Sequence, residues 1–351
     1  MIFLYVLVLL LSFYVLAKVV DDYFVPSLDN LSEKLKMSHD AAGATLMAIG
    51  SSAPELFVAL FAVFRPGNHE AIGIGNIVGS ALFNLLIVTG FSTIVRDASV
   101  AKHSVLRDLF FYVVSVGLLL LIFDDKTVSL YEAVLLIFVY GLYIFAVIKW
   151  KKLFPEQDTG KYEEPNVYDT DEVPKKNFLS KVVAPVDYLI NLFFKPLKHY
   201  FAVFIVSVAF IAGISRLLVE SAVHIASLSG IPEAFIAVTI LAAGTSVPDL
   251  VSSVIVSKKG RGGMAISNAV GSNIFDILVG LGLPFLIFIL ISGENMPVNT
   301  DAAEESVYYL ASSTVMVLIL FLIFRWKVGK LFGILLTAMY VAYLIRLILF
   351  V

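Results

Sequence analysis

Hydrophobic residues along this chain run in blocks too long for a soluble core. They predict ten membrane-crossing helices, at about 2–19, 41–64, 70–95, 105–123, 128–149, 200–224, 232–257, 264–291, 305–324 and 331–350. Each is close to the roughly 20 apolar residues that cross about 30 Å of hydrocarbon. The expected fold class is an all-α membrane protein. A polar segment splits the spans five and five, giving residues 1–149, a loop over 150–199, and residues 200–351. Between Pro155 and Pro174 that loop carries Glu156, Asp158, Glu163, Glu164, Asp169, Asp171 and Glu172 against Lys161 alone. Such a composition cannot bury a core and reads as a solvated linker. It also lacks the spaced acids and central glycine of a calcium-binding helical loop. The stretch 178–198 mixes Phe and Leu with Lys and predicts a short helix lying on the membrane surface.

The informative positions are the polar ones inside the spans. The sequence G-S-S-A-P-E-L (50–56) returns as G-T-S-V-P-D-L (244–250), and G-S-A-L-F-N (79–84) returns as G-S-N-I-F-D (271–276). An ionisable group at membrane depth is costly and is a functional hypothesis by default. A proline within a helix frees the carbonyl four residues back. Such irregular backbone is tolerated in a membrane only where it is buried in protein or lines a polar cavity. Ser51 and Glu55 are four apart, as are Ser80 and Asn84, and Ser272 and Asp276, so each pair shares a helix face. Thr245, Ser246, Pro248 and Asp249 repeat the first cluster. Gly73, Gly75 and Gly79, and later Gly262, Gly263 and Gly271, allow close helix approach. A serine in such a helix often does nothing more than bond its own backbone. A proline with an acid at two matched positions asks for more than that.

Copies five spans apart cross the membrane in opposite senses, because five is odd. The chain is therefore expected to be two inverted five-helix repeats, an architecture of secondary transporters whose sites lie at the repeat interface. Positive charge sets the orientation. Of the 25 Lys and Arg, only Arg65, Lys126, Arg216 and Arg346 fall outside the odd-numbered connections. Both termini are then expected outside the cell and the central loop in the cytoplasm of a multi-pass cell-membrane protein. The first Lys is Lys18, after the first apolar run, so that run is expected to be a retained span, not a cleaved signal.

The donors at the twin motifs are all hard oxygens, with no Cys in the chain and no His nearby. They suit Na⁺, K⁺, Ca²⁺ or Mg²⁺, and Ca²⁺ better than Mg²⁺ because Ca²⁺ takes six to eight oxygens flexibly. Glu55, Asp249 and Asp276 together form a triple-carboxylate cage that cannot be occluded bare, since desolvation costs several kcal/mol per ion. Three Na⁺ would neutralise it, as would Ca²⁺ with K⁺, whereas Ca²⁺ alone would require about one proton, on Asp276. An empty carrier should then resist switching, and obligatory exchange follows.

The twin motifs resemble those of the calcium/cation antiporter superfamily, in particular its sodium/calcium exchangers. V-G-S-N-I-F-D (270–276) is most similar to the potassium-dependent branch. The resemblance is specific over about 43–90 and 237–284. It implies ten helices, the first and sixth sliding past the rest to alternate access. It implies Glu55 and Asp249 as principal calcium ligands, aided by the carbonyls of Ser51 and Thr245. Sodium would use Ser52, Ser80, Ser246 and Ser272 with the backbone oxygens of Ala48 and Ala242, and Asn84 and Asp276 would flank the centre. An acid at Asp276 also resembles some potassium-independent exchangers, so K⁺ co-transport stays open.

Two rivals remain at this stage. A proton/calcium exchanger would resemble G-N-x-x-E, an Asn neither copy has, and a cation channel would use weak serial sites. No enzyme is expected, since no nucleophile–base pair, His cluster or phosphate loop appears. No cofactor and no nucleic-acid partner is expected, and the transporter is expected to act as a monomer in the lipid bilayer. Arg216, Glu220 and His224, four apart on the sixth span, are expected to form a structural ion pair near the outer interface, and Glu304 and Glu305 to be helix-start charges.

Overall fold

A computed structural model describes residues 2–34, 48–67, 69–99, 102–124, 126–153, 178–197, 199–258, 260, 262–298 and 301–350. The acidic linker and the first part of the second predicted span lie outside them. In order, the helices are α1 (Ile2–Val19), α2 (Val25–Lys34), α3 (Ala48–Ser51), α4 (Ala53–Phe64), α5 (Glu70–Leu82), α6 (Thr89–Val95), α7 (Lys102–Ile122), α8 (Leu130–Leu153) and α9 (Phe178–Phe194). The second half supplies α10 (Tyr200–Ser229), α11 (Glu233–Ile236), α12 (Ala242–Lys258), α13 (Gly262–Phe275), α14 (Gly282–Ser292), α15 (Asp301–Ile323) and α16 (Lys330–Phe350). Several are joined end to end by π-helical turns at Val20–Phe24, Phe83–Val88, Ala237–Leu241 and Asp276–Leu281.

Nine helices among the described residues are long and apolar enough to cross a membrane. The expected span at 41–64 is described only from Ala48 onward, as α3 and α4, so a tenth is not counted. Large apolar side chains such as Phe3, Leu121, Tyr131, Ile291 and Leu349 stand exposed around the outside, as lipid contact requires.

The buried apolar residues fall into two clusters. One joins α5–α8 with α12–α16 and includes Ile77, Leu82, Tyr112, Phe275, Phe285 and Phe332. The other holds the first span to α10 through Leu16, Val19, Phe24, Ile211, Leu218 and Ala222, with Ile190 and Phe194 of α9. The first and sixth spans thus pack together, and the same cluster ties them to α4 and α5 through Ala53, Val58, Ala62 and Ile72, and to α11 and the π-turn after it through Ile236, Ala237 and Leu241. A helix is present in the stretch 178–198 as α9, and it packs on the first span. Tyr14 Oη donates to Asp187 at 2.6 Å, Tyr23 Oη donates to Asn191 at 2.7 Å, and Tyr23 stacks on Phe194.

Short connections pair in a way that checks the alternation of sides. Residues Ala98–Ser99 form a two-residue antiparallel pair with Lys327–Val328, joining the third and ninth connections. Thr127–Val128 pair with Met296–Pro297, joining the fourth and eighth. Odd meets odd and even meets even. On the even side His69 also contacts Glu233 at 2.8 Å.

The sixth-span expectation needs correction. Glu220 pairs with Arg65 at 2.9 Å, not with Arg216, and the His224 ring stacks on Tyr5 at 4.5 Å. Sequence spacing shows which residues share a face but not which neighbouring helix supplies the counter-charge. Glu305 likewise receives a hydrogen bond from Arg346 Nε. Two of the four misplaced positive charges, Arg65 and Arg346, are thereby neutralised by local acids.

Candidate cation site between the repeats

The site grows out of irregular backbone in four segments. In the first repeat the helix stops at Ser52 (φ −96°, ψ 6°) and restarts at Ala53, with Pro54 in its first turn. Proline fits there because a first-turn amide has no intrahelical partner. Glu55 then sits at the positive end of the new helix, where a carboxylate is favoured. The second copy behaves differently. Pro248 lies inside the continuous α12, which follows the π-turn Ala237–Leu241, and the matching residues 43–47 lie outside the described ones. The two other motifs are matched more closely. Asn84 lies in the π-turn Phe83–Val88, and Asp276 opens the π-turn Asp276–Leu281. Such turns concentrate at functional sites because they re-aim side chains and leave carbonyls outside the regular ladder.

Close approach of these elements depends on small residues. A Cβ at Gly79 would stand 2.4 Å from the Val238 carbonyl oxygen and 2.6 Å from the Ala242 Cβ, both on the facing repeat. Gly79→Ala is therefore expected to destabilise the protein by about 1–3 kcal/mol, the usual range for overpacking against backbone that cannot yield. Thermal unfolding in detergent measures this, and an unchanged midpoint would refute the close packing.

Glu55, Asn84, Asp249 and Asp276 are all buried, each at 7% exposure or less, with Ser52, Ser80, Thr245, Ser246 and Ser272 around them. Ser51 is half-buried. Ser80 and Ser246 hydroxyls meet at 2.8 Å, Ser51 and Ser272 at 3.1 Å, and Asn84 Nδ2 donates to Asp249 Oδ2 at 3.4 Å. Each of these contacts joins one repeat to the other. Thr245 donates to the Ala242 carbonyl at 3.2 Å, as an ordinary membrane threonine does. Ala48 and Ala242 open α3 and α12.

The carboxylates are the exception to this satisfied pattern. Both oxygens of Glu55 and both of Asp276 are buried with no hydrogen-bond partner, as are Ser52 Oγ and Asn84 Oδ1. The hydroxyls of Thr245 and Ser80 come near Glu55, and that of Ser52 near Asp276, without hydrogen-bond geometry. Unpaired buried carboxylates are among the costliest groups a fold can hold.

The expected triple-carboxylate cage is corrected in one respect. Glu55, Asp249 and Asp276 lie within electrostatic range of one another, yet no three acidic or His side chains among the described residues converge as a metal cluster. Like charges separate unless a cation lies between them, and serines occupy the intervening positions. A cation bound here would take its shell from carboxylates, hydroxyls and carbonyls together.

One acid of this region was not foreseen from the sequence. Phe13, Ala17, Asp21, Phe24 and Leu28 recur at helical spacing along the first span. Phe13 lies against Gly244, and Phe24 and Leu28 lie against Gly50, so this stripe crosses both twin motifs. Asp21 stands between those contacts, in the π-turn, within electrostatic range of Asp249. An acid near the predicted end of a span reads as interfacial, and the helix's continuation through the π-turn keeps the exposed Asp21 within electrostatic range of Asp249.

Comparison with known proteins agrees with this geometry. The family described as sodium/calcium exchanger protein matches residues 5–149 and 199–349. The human sodium/potassium/calcium exchanger 5 is 30% identical over 405 residues, covering 95% of this chain and 80% of the relative. The sodium/potassium/calcium exchanger 2 of Gallus gallus is 27% identical, covering 97% of this chain and 76% of the relative. Among solved structures, the sodium–calcium exchanger NCX_Mj soaked with Na⁺ and Sr²⁺ superposes with a TM-score of 0.60 at 26% identity, covering 98% of this chain and 99% of that one. Two matched halves, a shared architecture and paired acidic motifs lead to one conclusion: the chain belongs to the sodium/calcium exchanger protein family.

Proposed function

We propose that this chain is a secondary active antiporter that exchanges Na⁺ for Ca²⁺ by alternating access. The carrying observation is the pair of buried, unpartnered carboxylates, Glu55 and Asp276, set among hydroxyls from both repeats. In this reading Glu55 and Asp249 hold Ca²⁺ with the carbonyls of Ser51 and Thr245. Ser52, Ser80, Ser246 and Ser272, with the backbone oxygens of Ala48 and Ala242, hold Na⁺. Asn84 and Asp276 tune the centre. The ions are cargo, and no resident cofactor is required. The names of the relatives bring K⁺ in as a co-transported ion.

The close packing of the first span on the sixth supports their movement as a pair. Residues 1–149 and 200–351 form the two repeats, and 150–199 the connecting loop. The same-side pairing of connections supports the alternation of the spans, and the placement of Lys and Arg supports termini outside and the central loop in the cytoplasm. One chain supplies both repeats, so a monomer suffices.

Calcium flux in proteoliposomes, with Na⁺, K⁺ and H⁺ gradients imposed one at a time, tests the proposal. A Na⁺ gradient is expected to drive Ca²⁺ against its own gradient. Flux driven by H⁺ alone would overturn the sodium reading, and rapid Ca²⁺ efflux with no counter-cation would overturn exchange itself.

A further inference from the structure

Beyond the central site, three buried hydroxyls share one seam. The third span (α5, the π-turn and α6) packs along α12, and three contacts fix the alignment. These are Ser80 on Ser246 and Asn84 on Asp249, then Arg96 Nη1 donating to the Lys258 carbonyl at 2.9 Å at the far end. Ser92 lies four residues before Arg96, while Ser253 and Ser257 follow Asp249 at intervals of four. Ser253 and Ser257 therefore continue the Asp249 face of α12 toward the Arg96 end, and Ser92 is a buried hydroxyl of α6, which packs on α12. All three are at most 2% exposed, and none of their hydroxyls has a hydrogen-bond partner.

Serine and threonine in membrane helices ordinarily return the hydroxyl to a backbone carbonyl, as Thr93, Ser115 and Thr337 do here. Ser207, Ser215 and Ser313 are buried without a partner elsewhere in the spans, but Ser253 and Ser257 continue the Asp249 face, and the repeat shows that the fold does not impose hydroxyls there. The positions matching Ser253 and Ser257 in the first repeat are Ala59 and Val63, and the position matching Ser92 in the second is Pro284. The same seam on the opposite side of the site is apolar. A buried hydroxyl left unsatisfied costs about 1–3 kcal/mol. Bound water making two to four hydrogen bonds is the usual way such groups are satisfied.

We propose that the seam between the third span and α12 holds a chain of bound water reaching Asp249 from the Arg96–Lys258 end, and that this water rehydrates a cation leaving Asp249. The Arg96 guanidinium at that end disfavours cations, so the seam admits water while the ion takes another path. In the proposed orientation this is the cytoplasmic side. The role in ion release rests on the exchange reading, whereas the water does not.

The chain contains no cysteine, so single thiols can be placed without background. Hydrogen peroxide is neutral, close to water in size, and oxidises thiolate to sulfenic acid. A thiol ionises in water and not in a dry apolar contact. In purified full-length protein, Ser253→Cys and Ser257→Cys are expected to lose alkylatable thiol about tenfold faster than Ala59→Cys and Val63→Cys, with Ser92→Cys replacing either that fails to fold. Equal rates at seam and control positions would overturn the water chain. In vesicles, changing Ser92, Ser253 and Ser257 together to Ala is expected to slow Na⁺-driven Ca²⁺ release at the Arg96 end several-fold, with Ca²⁺ affinity unchanged. Wild-type release rates in that variant would overturn the rehydration role. Failure of exchange itself would show in the wild type as absent Na⁺-driven flux, with the peroxide result standing apart.

Discussion

Glu55→Gln and Asp249→Asn are each expected to abolish calcium exchange while leaving the protein folded. Glu55 has both carboxylate oxygens buried and unpartnered. Replacing it with a near-isosteric amide removes a charge that only a cation can balance. Losing one partner of a buried ionic contact costs about 3–5 kcal/mol, which is about two to four decades in affinity. Transport should therefore fall to background at ordinary calcium concentrations. The same substitution relieves the cation-free protein of an unpaired buried charge. Its melting temperature without Ca²⁺ should match or exceed that of wild type, and the rise in melting temperature on adding Ca²⁺ should disappear. Asp249 differs because Asn84 already donates to it. Asp249→Asn turns an acceptor into a group that can also donate toward the Asn84 amide, so a modest loss of stability accompanies the loss of transport. Normal exchange in Glu55→Gln, in a folded protein, would remove Glu55 from the site.

How much of this site the sequence reveals depends on which kind of information each residue carries. Glu55, Asn84, Asp249 and Asp276 are legible because a polar group inside a long apolar run has few structural explanations, and a second copy removes most of those. The inverted arrangement is legible because span parity is arithmetic. The partner of Glu220 is not legible, because it comes from Arg65, more than a hundred residues away. The four π-turns leave no periodic signature, since one extra residue per turn shifts a hydrophobic stripe too little to read against a uniformly apolar background. For that reason the apolar pattern ends before Asp21, although the helix continues and keeps that acid within electrostatic range of Asp249. The two proline motifs looked equivalent, yet one breaks its helix at Ser52 and the other does not. Proline removes a hydrogen bond in either case, but the surrounding packing decides whether the helix bends, bulges or stops.

The asymmetry between Asn84 and Asp276 carries the second large prediction, because it is the charge difference between otherwise matched motifs. Both lie in π-turns at corresponding places in the two repeats, and both are fully buried. Asn84 spends its amide on Asp249, whereas neither oxygen of Asp276 has a partner. In the proposed reading, with Ca²⁺ between Glu55 and Asp249, the balance of Asp276 is left to a monovalent ion. Asp276→Asn leaves two carboxylates, which Ca²⁺ alone neutralises. The number of monovalent cations moved per Ca²⁺ should then fall by one, and any requirement for K⁺ should vanish. Paired measurements of ²²Na⁺ or ⁸⁶Rb⁺ flux against ⁴⁵Ca²⁺ flux give that ratio directly. Calcium affinity should change less than threefold, because the two principal ligands remain (a shift of about 0.6 kcal/mol). An unchanged coupling ratio in Asp276→Asn would show that its charge is balanced within the protein, and would move the choice of co-transported ion elsewhere in the site.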